Sequence, residues 1–584
     1  MRLTAARKDS PLLRWGRAKV VELFGTDLRS LAALRIVLAI LVLADLAGRV
    51  TDLSAHYTDE GVLPRSVLLE DVLSQWSFSL NLMNGEPFFQ VLLFGVAALA
   101  ALALLVGYHT RLATIVLWVV LLSIQLRNPL ILNNGDRLLR LLLFWGMFLP
   151  LGAHWSVDHA LKVTRSQLSM RFLSLATVGL LMQIAFVYCF TALEKSGRDW
   201  RVDGTALYYA LSNEQWSTPI GSYLLYHLPP LLLEVLTFST IMLEAFGPFL
   251  LFCPVLTGPV RTGAILAFMS LQLGIWCMMD IGLFNLISAF CMVCFLPSWF
   301  WDKVIPKLRG AFPERPSIVR RLQYVVERLV NIGWSSFRAW LSTTADVGQT
   351  TAEDVAAGNN QEKSHTSHIG AASTVEARRQ SEAQLTDKVA TEQERGRGNA
   401  AKSEPLMLRS SLATNLLAGL FLLWIFCWNL INVSSFMMPE RAVPLGTFLG
   451  LRQSWGVFAP NPPKDSGWYV IPGTLRDGQQ VDLVTAVTHN DFSRGEGVTW
   501  EKPQDVVDTY GNKYWRDYLG DIRGKEHADQ RQHFGNYICR QWNARHSGVE
   551  QLTELEIVYM KETTLPDYQR AIPEKVVLRK HSCS

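Results

Sequence analysis

The chain shows no strong excess of charge of either sign. Its 55 lysine and arginine residues nearly balance its 51 aspartate and glutamate residues, which leaves a net charge of +4. Proteins that bind nucleic acid need a basic face, and the sequence contains no candidate for one, so we expect no nucleic-acid partner. We also expect no cleavable signal peptide. The basic N-terminal stretch is too long and polar, and no small-residue cleavage site follows the first apolar block.

Cysteine is scarce, with eight residues in the chain. Cys291 and Cys294 have the spacing of a redox motif, but they lie within an apolar segment that lacks the basic, accessible setting a thiolate needs. Cys539 and Cys583 are the only pair in the C-terminal tail, and we expect a disulfide there if the tail is outside the cytoplasm. No metal site is predicted. Six cysteines lie in apolar blocks and are interpreted as small core residues: Cys189, Cys253, Cys277, Cys291, Cys294 and Cys427.

Apolar residues, in contrast, are abundant. They make up 49% of the 584 residues, and the mean hydropathy is +0.16. Several apolar blocks reach the roughly 20 residues that a membrane-crossing helix needs. This excludes an ordinary soluble enzyme, a fibrous protein and a mainly disordered chain. The sequence predicts an all-α polytopic membrane bundle of about nine transmembrane helices in contact with lipid. The blocks lie near 31–48, 88–106, 112–125, 138–153, 172–193, 231–253, 263–279, 281–298 and 412–433.

Charge distribution predicts the orientation. Basic residues concentrate in alternate loops, which places the N-terminus in the cytoplasm under the positive-inside rule. Nine spans then place the tail outside, whereas an eight-span alternative makes one of the blocks around Asp280 re-entrant. The tail contains an Asp-Gly hairpin signal at 476–479 between the apolar runs 468–471 and 481–484, two helical stretches and a strand pattern at 555–559. It is predicted to be an extracytoplasmic α+β domain, with residues 455–463 leading into it at the membrane surface.

These patterns predict six regions. Within the part from 301 to 343, residues 317–341 carry an apolar stripe with several arginines, which suits a helix lying on the inner membrane surface or packed on the bundle. The part from 344 to 405 has too few large apolar residues to fold. In order, the regions are a cytoplasmic tail (1–30), a membrane domain (31–300), a cytoplasmic amphipathic segment (301–343), a disordered linker (344–405), the last transmembrane helix (410–434) and the extracytoplasmic domain (435–584).

Charged residues within predicted spans are candidates for function, because charge is costly inside a membrane. Mutual pairing between helices is the simpler interpretation for most of them. Glu244, near the middle of the sixth predicted span, needs such a partner, and Arg35 is a candidate. Lys195 ends the fifth span: it could snorkel to the headgroups, or, if enclosed by apolar residues, act as a base. The adjacent Glu194 favours the charged amine.

Five segments in order resemble the HTTM (horizontally transferred transmembrane) domain family, whose best-known member is vitamin K-dependent gamma-glutamyl carboxylase. They are 57–64, Asn133-Asn134, 154–158, Lys195 with Asp199-Trp200, and 280–284. The resemblance covers about residues 25–300. It implies that Lys195 is a catalytic base toward reduced vitamin K or another quinol, with an extracytoplasmic protein as a further substrate. The substrate-binding residues it implies are Asn133, Asn134, Asp199 and Trp200.

Two departures from the carboxylase concern its chemistry. That enzyme oxygenates the quinol to form a strong base, which deprotonates a glutamate side chain to which carbon dioxide adds. Its catalytic histidine follows the paired asparagines, where this chain has Gly135; Asp136 is the nearest titratable substitute, although pairing with Arg137 or Arg140 is its alternative role. Gln272 stands where a second histidine would align.

Three interpretations follow. The first is a quinol-linked enzyme that uses Lys195. The second is a full protein carboxylase, which the two lost histidines disfavour. The third is a non-enzymatic scaffold or binding protein whose tail recruits a partner.

Overall fold

The computed structural model describes residues 11–161, 169–311 and 410–583. The chain divides into two compact units, residues 1–302 together with 407–584, and residues 303–406. Of the second unit, only residues 303–311 are described. Most of the predicted amphipathic segment (312–343), the predicted linker (344–405) and residues 1–10 of the predicted cytoplasmic tail lie outside the described residues.

The first unit is mostly helical up to residue 302. Its helices are α1 (Pro11–Phe24), α2 (Leu28–Val50), α3 (Leu53–Tyr57), α4 (Arg65–Val67), α5 (Pro87–Val106), α6 (Thr110–Arg127), α7 (Asn134–Gly146), α8 (Val157–Ala160), α9 (Leu175–Glu194), α10 (Arg198–Arg201), α11 (Ala206–Ser212), α12 (Pro219–His227), α13 (Pro230–Leu251), α14 (Thr257–Met278) and α15 (Phe284–Phe290). A two-residue ladder pairs β1 (Thr26–Asp27) with β2 (Arg171–Phe172). The described part of the second unit contains α16 (Ile305–Ala311).

After the gap, α17 (Leu412–Val433) leads into the C-terminal part, called the tail domain below (residues 435–583). Its helices are α18 (Val443–Phe448), α19 (Val484–Thr488), α20 (Lys513–Ile522) and α21 (Ala528–Asn543). Its strands are β3 (Asp465–Val470), β4 (Pro472–Leu475), β5 (Gln480–Asp482), β6 (Leu552–Thr563) and β7 (Glu574–Ser582).

The helices confirm that this is a multi-pass membrane protein. Among the described residues, seven are long and apolar enough to cross a membrane (α2, α5, α6, α9, α13, α14 and α17), or eight if the bent pair Phe284–Phe295 and Phe300–Leu308 is one span. The fourth predicted block is shorter than expected, because α7 has 13 residues. At 1.5 Å per residue it extends about 20 Å, less than the roughly 30 Å of a bilayer core. Nine crossings therefore stay a prediction.

Local sequence signals set the ends of the helices that carry the site. Asn133 caps α7 through a capping box with Asp136, and Ser174 caps α9 through one with Thr177. These reciprocal bonds satisfy backbone N–H groups that a helix start leaves without partners. Helix α9 ends at Glu194, and Lys195 is the first residue beyond it. The chain therefore turns at the lysine that the sequence singled out.

The tail domain is built on a five-stranded antiparallel sheet. The central strand β6 pairs with β7 on one edge and with β3 and β4 on the other, and β5 pairs with β4. The Asp-Gly turn joins β4 to β5, with Gly478 at φ +87°. The predicted run 468–471 is not the first strand of this hairpin; it falls largely in β3, which pairs with β6. Cys539 on α21 forms a disulfide with Cys583, as predicted.

The tail domain packs directly on the helices. One continuous cluster of buried apolar residues runs from α2 and α7 into the tail domain, where it includes Trp515 and Ile538. Polar contacts reinforce this junction: Asp52, after α2, accepts hydrogen bonds from Asn512 Nδ2 at 2.7 Å and from Trp515 Nε1 at 3.2 Å. The membrane helices and the tail domain can therefore build a site together.

Candidate functional site

The side chain of Lys195 lines an enclosed cavity, which lies at the end of the helix bundle that carries the tail domain. The cavity lies among α9, α13, α14 and α15 and is closed by residues 457–458. Its volume is about 70 Å³, whereas a single water molecule needs about 15 Å³. The wall is mainly apolar and includes Val187, Leu207, Ile275, Ile281 and Phe284.

A buried ion pair stands in this apolar wall. Lys195 Nζ lies 2.7 Å and 2.9 Å from the two carboxylate oxygens of Glu244, and the residues are only 5% and 4% exposed. On its other side the ammonium lies 4.2 Å from the centre of the Trp200 ring. The suggested Arg35–Glu244 pair is wrong, because Arg35 donates to the carbonyl of Trp155. Lys195 is thus enclosed and does not extend to the headgroups.

Hydrogen bonds fix the chain on both sides of Lys195. Arg201 donates through Nε to the carbonyl of Lys195 at 2.9 Å and through Nη2 to the carbonyl of Ala192 at 2.7 Å. The preceding helical turn is held by Thr191, whose hydroxyl donates to the carbonyl of Val187 at 2.6 Å. These contacts restrict the backbone from which the lysine side chain extends, so the amine is preorganised toward the cavity.

The cavity is covered by residues 457–463 of the tail domain, called the cover loop below, which lie in the segment that the sequence predicted at the membrane surface. Trp200 Nε1 donates to the carbonyl of Phe458 at 2.8 Å, Gly197 N to that of Pro460 at 3.0 Å, and Asp199 N to Asn461 Oδ1 at 3.2 Å. Phe458 has φ +57°, a left-handed conformation that is costly for a bulky side chain. The surrounding contacts therefore hold Phe458 over the cavity.

Two buried amides in the cavity wall have atoms without partners. Among the described residues, neither Nδ2 nor Oδ1 of Asn285 has a hydrogen-bond partner, and Gln272 Oε1 also lacks one. Asn285 is fully buried and Gln272 is 3% exposed. A buried polar group left unpaired costs about 1–3 kcal/mol, so these atoms are available to a ligand. The sequence singled out Gln272 as a departure from the carboxylase, but nothing in the local pattern identified Asn285.

The paired asparagines do not line the Lys195 cavity. Asn133 caps α7 and donates from Nδ2 to Asp517 Oδ2 at 3.3 Å, and Asn134 Oδ1 accepts from Arg137 at 2.9 Å. Asp136 also lies outside this wall, in an ion pair with Arg49.

The expected partners of Asp136 were therefore wrong. Arg137 bonds to Asn134, and Arg140 bonds to Gln125 and to the carbonyl of Gly450. The reason is the arrangement of the helices. The end of α2 lies beside the start of α7, and this places Arg49 next to the Asp136 carboxylate. Arg49 also contacts Asp45 Oδ2 at 2.7 Å. The position of Asp136 favours a structural role for this residue.

Gly135 occupies a position with no room for a side chain. A Cβ there would lie 2.9 Å from the backbone nitrogen of Phe284 and 3.0 Å from its Cα. Real contacts of this kind are essentially never so short, and a backbone neighbour cannot move away cheaply. A histidine at this position would therefore require α7 and α15 to separate.

The two remaining predicted residues have different positions. Trp200 lines the cavity, whereas Asp199 does not. Asp199 accepts hydrogen bonds from Thr205 Oγ1 at 2.9 Å and from Lys464 Nζ at 3.3 Å. Through its bonds to Asn461 and Lys464, Asp199 therefore links the segment after α9 to the cover loop and the residue that follows it.

A second, more open cavity adjoins the first and is called the vestibule below. It has a volume of about 400 Å³ and shares Ile281, Val457 and Phe458 with the Lys195 cavity. Asn133 and Asp517 both line it and are hydrogen-bonded to each other in its wall. The sequence could not connect these two residues, which are 384 positions apart.

Residues 25–299 match the family model of the HTTM domain. The chain therefore contains an HTTM domain. No curated protein and no solved structure matches it. The HTTM domain contains Lys195, Glu244, Gln272 and Asn285, whereas the cover residue Phe458 lies outside the matched range, in the tail domain.

The described residues of this HTTM-domain protein offer no group of three or more histidine, cysteine, aspartate or glutamate side chains that could hold a metal ion. Cys291 and Cys294 are free and buried. The chemistry available in the Lys195 cavity is therefore that of one amine, one carboxyl group, two amides, the phenol of Tyr188 and threonine hydroxyls in an otherwise apolar enclosure.

Proposed function

We propose that this HTTM-domain protein is a quinol-dependent enzyme whose reaction centre is the Lys195 cavity. The observation that carries the proposal is the buried Lys195–Glu244 pair in an apolar cavity. Beside it lie the amide of Asn285 and the Gln272 Oε1 atom, which have no hydrogen-bond partner among the described residues. The ligand class is reduced vitamin K or another quinol. A quinol has a flat apolar ring with two hydroxyl groups, so its ring suits the wall and its hydroxyls suit the two amides.

Lys195 is the base in this proposal. Transfer of one proton from Lys195 Nζ to Glu244 Oε2, which are 2.7 Å apart, converts the ion pair into a neutral amine and a carboxylic acid. The neutral amine can then accept a proton from a ligand hydroxyl, and Trp200 limits the directions that the amine can face. A bound quinol would supply that hydroxyl proton and the electrons for reaction with oxygen.

The cover loop gives the cavity its second function, the exclusion of water. Phe458 is held over the cavity by the bond from Trp200, and Val457 lies beside it. A site without water strengthens the electrostatic interactions inside it and protects strongly basic species from being quenched. The enclosure therefore supports a reaction that generates a strong base.

Carboxylation as such is not part of the proposal. The position that carries a histidine in the carboxylase is Gly135, where Phe284 leaves no space for a side chain. We place the reaction at the extracytoplasmic face, with the N-terminus in the cytoplasm. The disulfide between Cys539 and Cys583 supports this orientation, because such bonds persist in oxidising compartments. An extracytoplasmic protein remains a candidate for the second substrate.

The test is quinol oxidation by the purified full-length protein. A reduced naphthoquinone and oxygen are supplied, and oxidised quinone and quinone epoxide are measured. We expect turnover by the wild type and by Lys580→Ala, a control that removes an exposed lysine paired with Glu556. Lys195→Ala should reduce the rate by about 10²–10⁴-fold, the usual contribution of a general base.

The buried carboxylate left by Lys195→Ala could impair folding, so a second variant is needed. Lys195→Met combined with Glu244→Gln removes both charges and avoids an unpaired one. A double variant that folds but shows no turnover would support the proposal. Equal turnover by the double variant and the wild type would refute it, and a folded wild type without turnover would leave the scaffold interpretation ahead.

A further inference from the structure

The vestibule lies at the junction of the HTTM domain and the tail domain. Asn133 and Ile281 come from the HTTM domain, whereas Phe458, Asn461 and Asp517 come from the tail domain. Because Ile281 and Phe458 also line the Lys195 cavity, the two chambers are separated by little more than these side chains. This arrangement suits two reactants, an apolar one inside and a water-soluble one outside.

Asp517 is the titratable side chain of the vestibule wall. It lies on α20 and is half-buried, and its Oδ2 accepts a hydrogen bond from Asn133 Nδ2 at 3.3 Å. Among the described residues it makes no ion pair, although two cations lie on the same helix. Lys513 Nζ is 3.8 Å from Asp45, and Arg516 is paired with Asp280 at 2.9 Å. Both neighbouring cations therefore have other anionic partners, and Asp517 is left to interact with a ligand.

The protonation of Asp517 is set by its surroundings. Burial raises the pKa of Asp517 to about 6, and the Asp136 carboxylate on α7 adds to this rise, whereas Arg516 and Lys513 act against it. Asp280, from the loop after α14, faces Arg516. The cover loop 457–463 contributes no titratable group. Asp517 can thus take up and release a proton near neutral pH.

We propose that the vestibule binds the second, water-soluble reactant and that Asp517 contacts it as the general base of that half of the site. This deepens the proposed function and rests on it. The carboxylate of Asp517 accepts a proton from a hydroxyl or ammonium group of the reactant. The O–H or N–H bond breaks, an O–H bond forms on Asp517, and the electron pair stays on the reactant.

The lining also selects the charge of the reactant. Asn133, Asn461 and Asp517 are its polar side chains, Trp216 and Phe458 supply aromatic rings, and no lysine, arginine or histidine is among the residues that line the vestibule. An anionic reactant would face the Asp517 carboxylate, and the nearby cations Lys513 and Arg516 already contact Asp45 and Asp280. A neutral or cationic hydrogen-bond donor fits, since carboxylates and aromatic faces both attract cations. This chemistry departs from that of a carboxylase that acts on glutamate.

Carbodiimide labelling tests the binding site without any quinol, so that its failure is separate from failure of the proposed function. Dicyclohexylcarbodiimide reacts with protonated carboxyl groups, and mass spectrometry of the full-length protein locates the adducts. We expect labelling of Asp517 to rise as the pH falls, with a midpoint near 6. The exposed Asp477 is the internal control for carbodiimide reactivity.

Two matched probes then test charge selection. Choline and isethionate are similar in size and each carry one hydroxyl group, but they have opposite charges. Choline should slow the labelling of Asp517 several-fold, and isethionate should not. Equal protection by both probes, protection by neither, or absence of labelling at Asp517 where Asp477 reacts would overturn the proposal.

The role in turnover is tested with Asp517→Asn, which keeps the size of the side chain, and Asp521→Asn, an exposed control on the same helix. Wild type and Asp521→Asn should show a limb near pH 6 in the profile of kcat/KM for product formation from the second reactant. Asp517→Asn should lose that limb, whereas Lys195→Ala should abolish product formation at every pH. Retention of the limb by Asp517→Asn would overturn the assignment and leave the proposed function intact.

Discussion

Removing one member of the Lys195–Glu244 pair should destabilise the protein more than removing both. Lys195→Met leaves Glu244, 4% exposed, without its cation. Breaking a buried pair in this way costs about 3–5 kcal/mol, whereas replacing both partners by apolar groups of similar volume is often neutral. Lys195→Met combined with Glu244→Leu should therefore recover most of the loss.

A double-mutant cycle gives the coupling energy of the pair. The free energy of unfolding is measured for the wild type, Lys195→Met, Glu244→Leu and the double variant, all in the same detergent and without quinol. We expect the summed losses of unfolding free energy in the two single variants to exceed the loss in the double variant by about 3 kcal/mol, the upper end of the range for residues in contact. Lys464→Met is a matched control, because Lys464 also contacts a carboxylate and an aromatic ring but is 45% exposed. Additive single effects would show that the pair is solvated and would refute the argument for an enclosed amine.

Three further outcomes are expected. Gly135→His should destabilise the protein by about 1–3 kcal/mol, the usual cost of overpacking, because Phe284 is in the way; an unchanged thermal midpoint would contradict this. Burial raises the pKa of Asp517 in the folded protein to about 6, above its ordinary value. The protonated side chain therefore stabilises the folded state fully below the unfolded pKa, and this contribution of at most about 3 kcal/mol is lost as the pH rises through 6. Asp517→Asn should flatten this part of the profile of unfolding free energy against pH. The double variant Cys539→Ser, Cys583→Ser opens a loop of 44 residues and should lower the free energy of unfolding by about 4 kcal/mol. Relative to the wild type, hydrogen exchange should accelerate in α21 and β7 more than in α9.

Local rules predicted the parts of the fold that depend on short stretches of sequence. The bilayer requirement for long apolar helices identified most of the spans, from Leu28–Val50 to Leu412–Val433. Alternation and turn residues located β6 and the hairpin around Gly478. The fourth span was harder to predict, because an apolar block does not show where its helix stops: α7 ends at Gly146.

Much of the candidate site could not be predicted, because its residues meet through tertiary contacts. Glu244 reaches Lys195 across 49 residues, where the sequence suggested Arg35. Asp136 pairs with Arg49, 87 positions away, and not with the arginines on its own helix. A buried charge takes whichever partner the neighbouring helix presents, and helix adjacency is not encoded in periodicity.

By itself, the sequence determined that this chain crosses a membrane several times, that Lys195 stands at the end of an apolar helix, and that Cys539 and Cys583 are the pair available to the tail. These follow from burial in lipid and from spacing along the chain. Only the tertiary structure decided that Lys195 is enclosed, that Phe458 covers it and that Asp517 lies beside Asn133. Each of these depends on the packing of the tail domain against the helices, and a contact across 384 residues leaves no local signal.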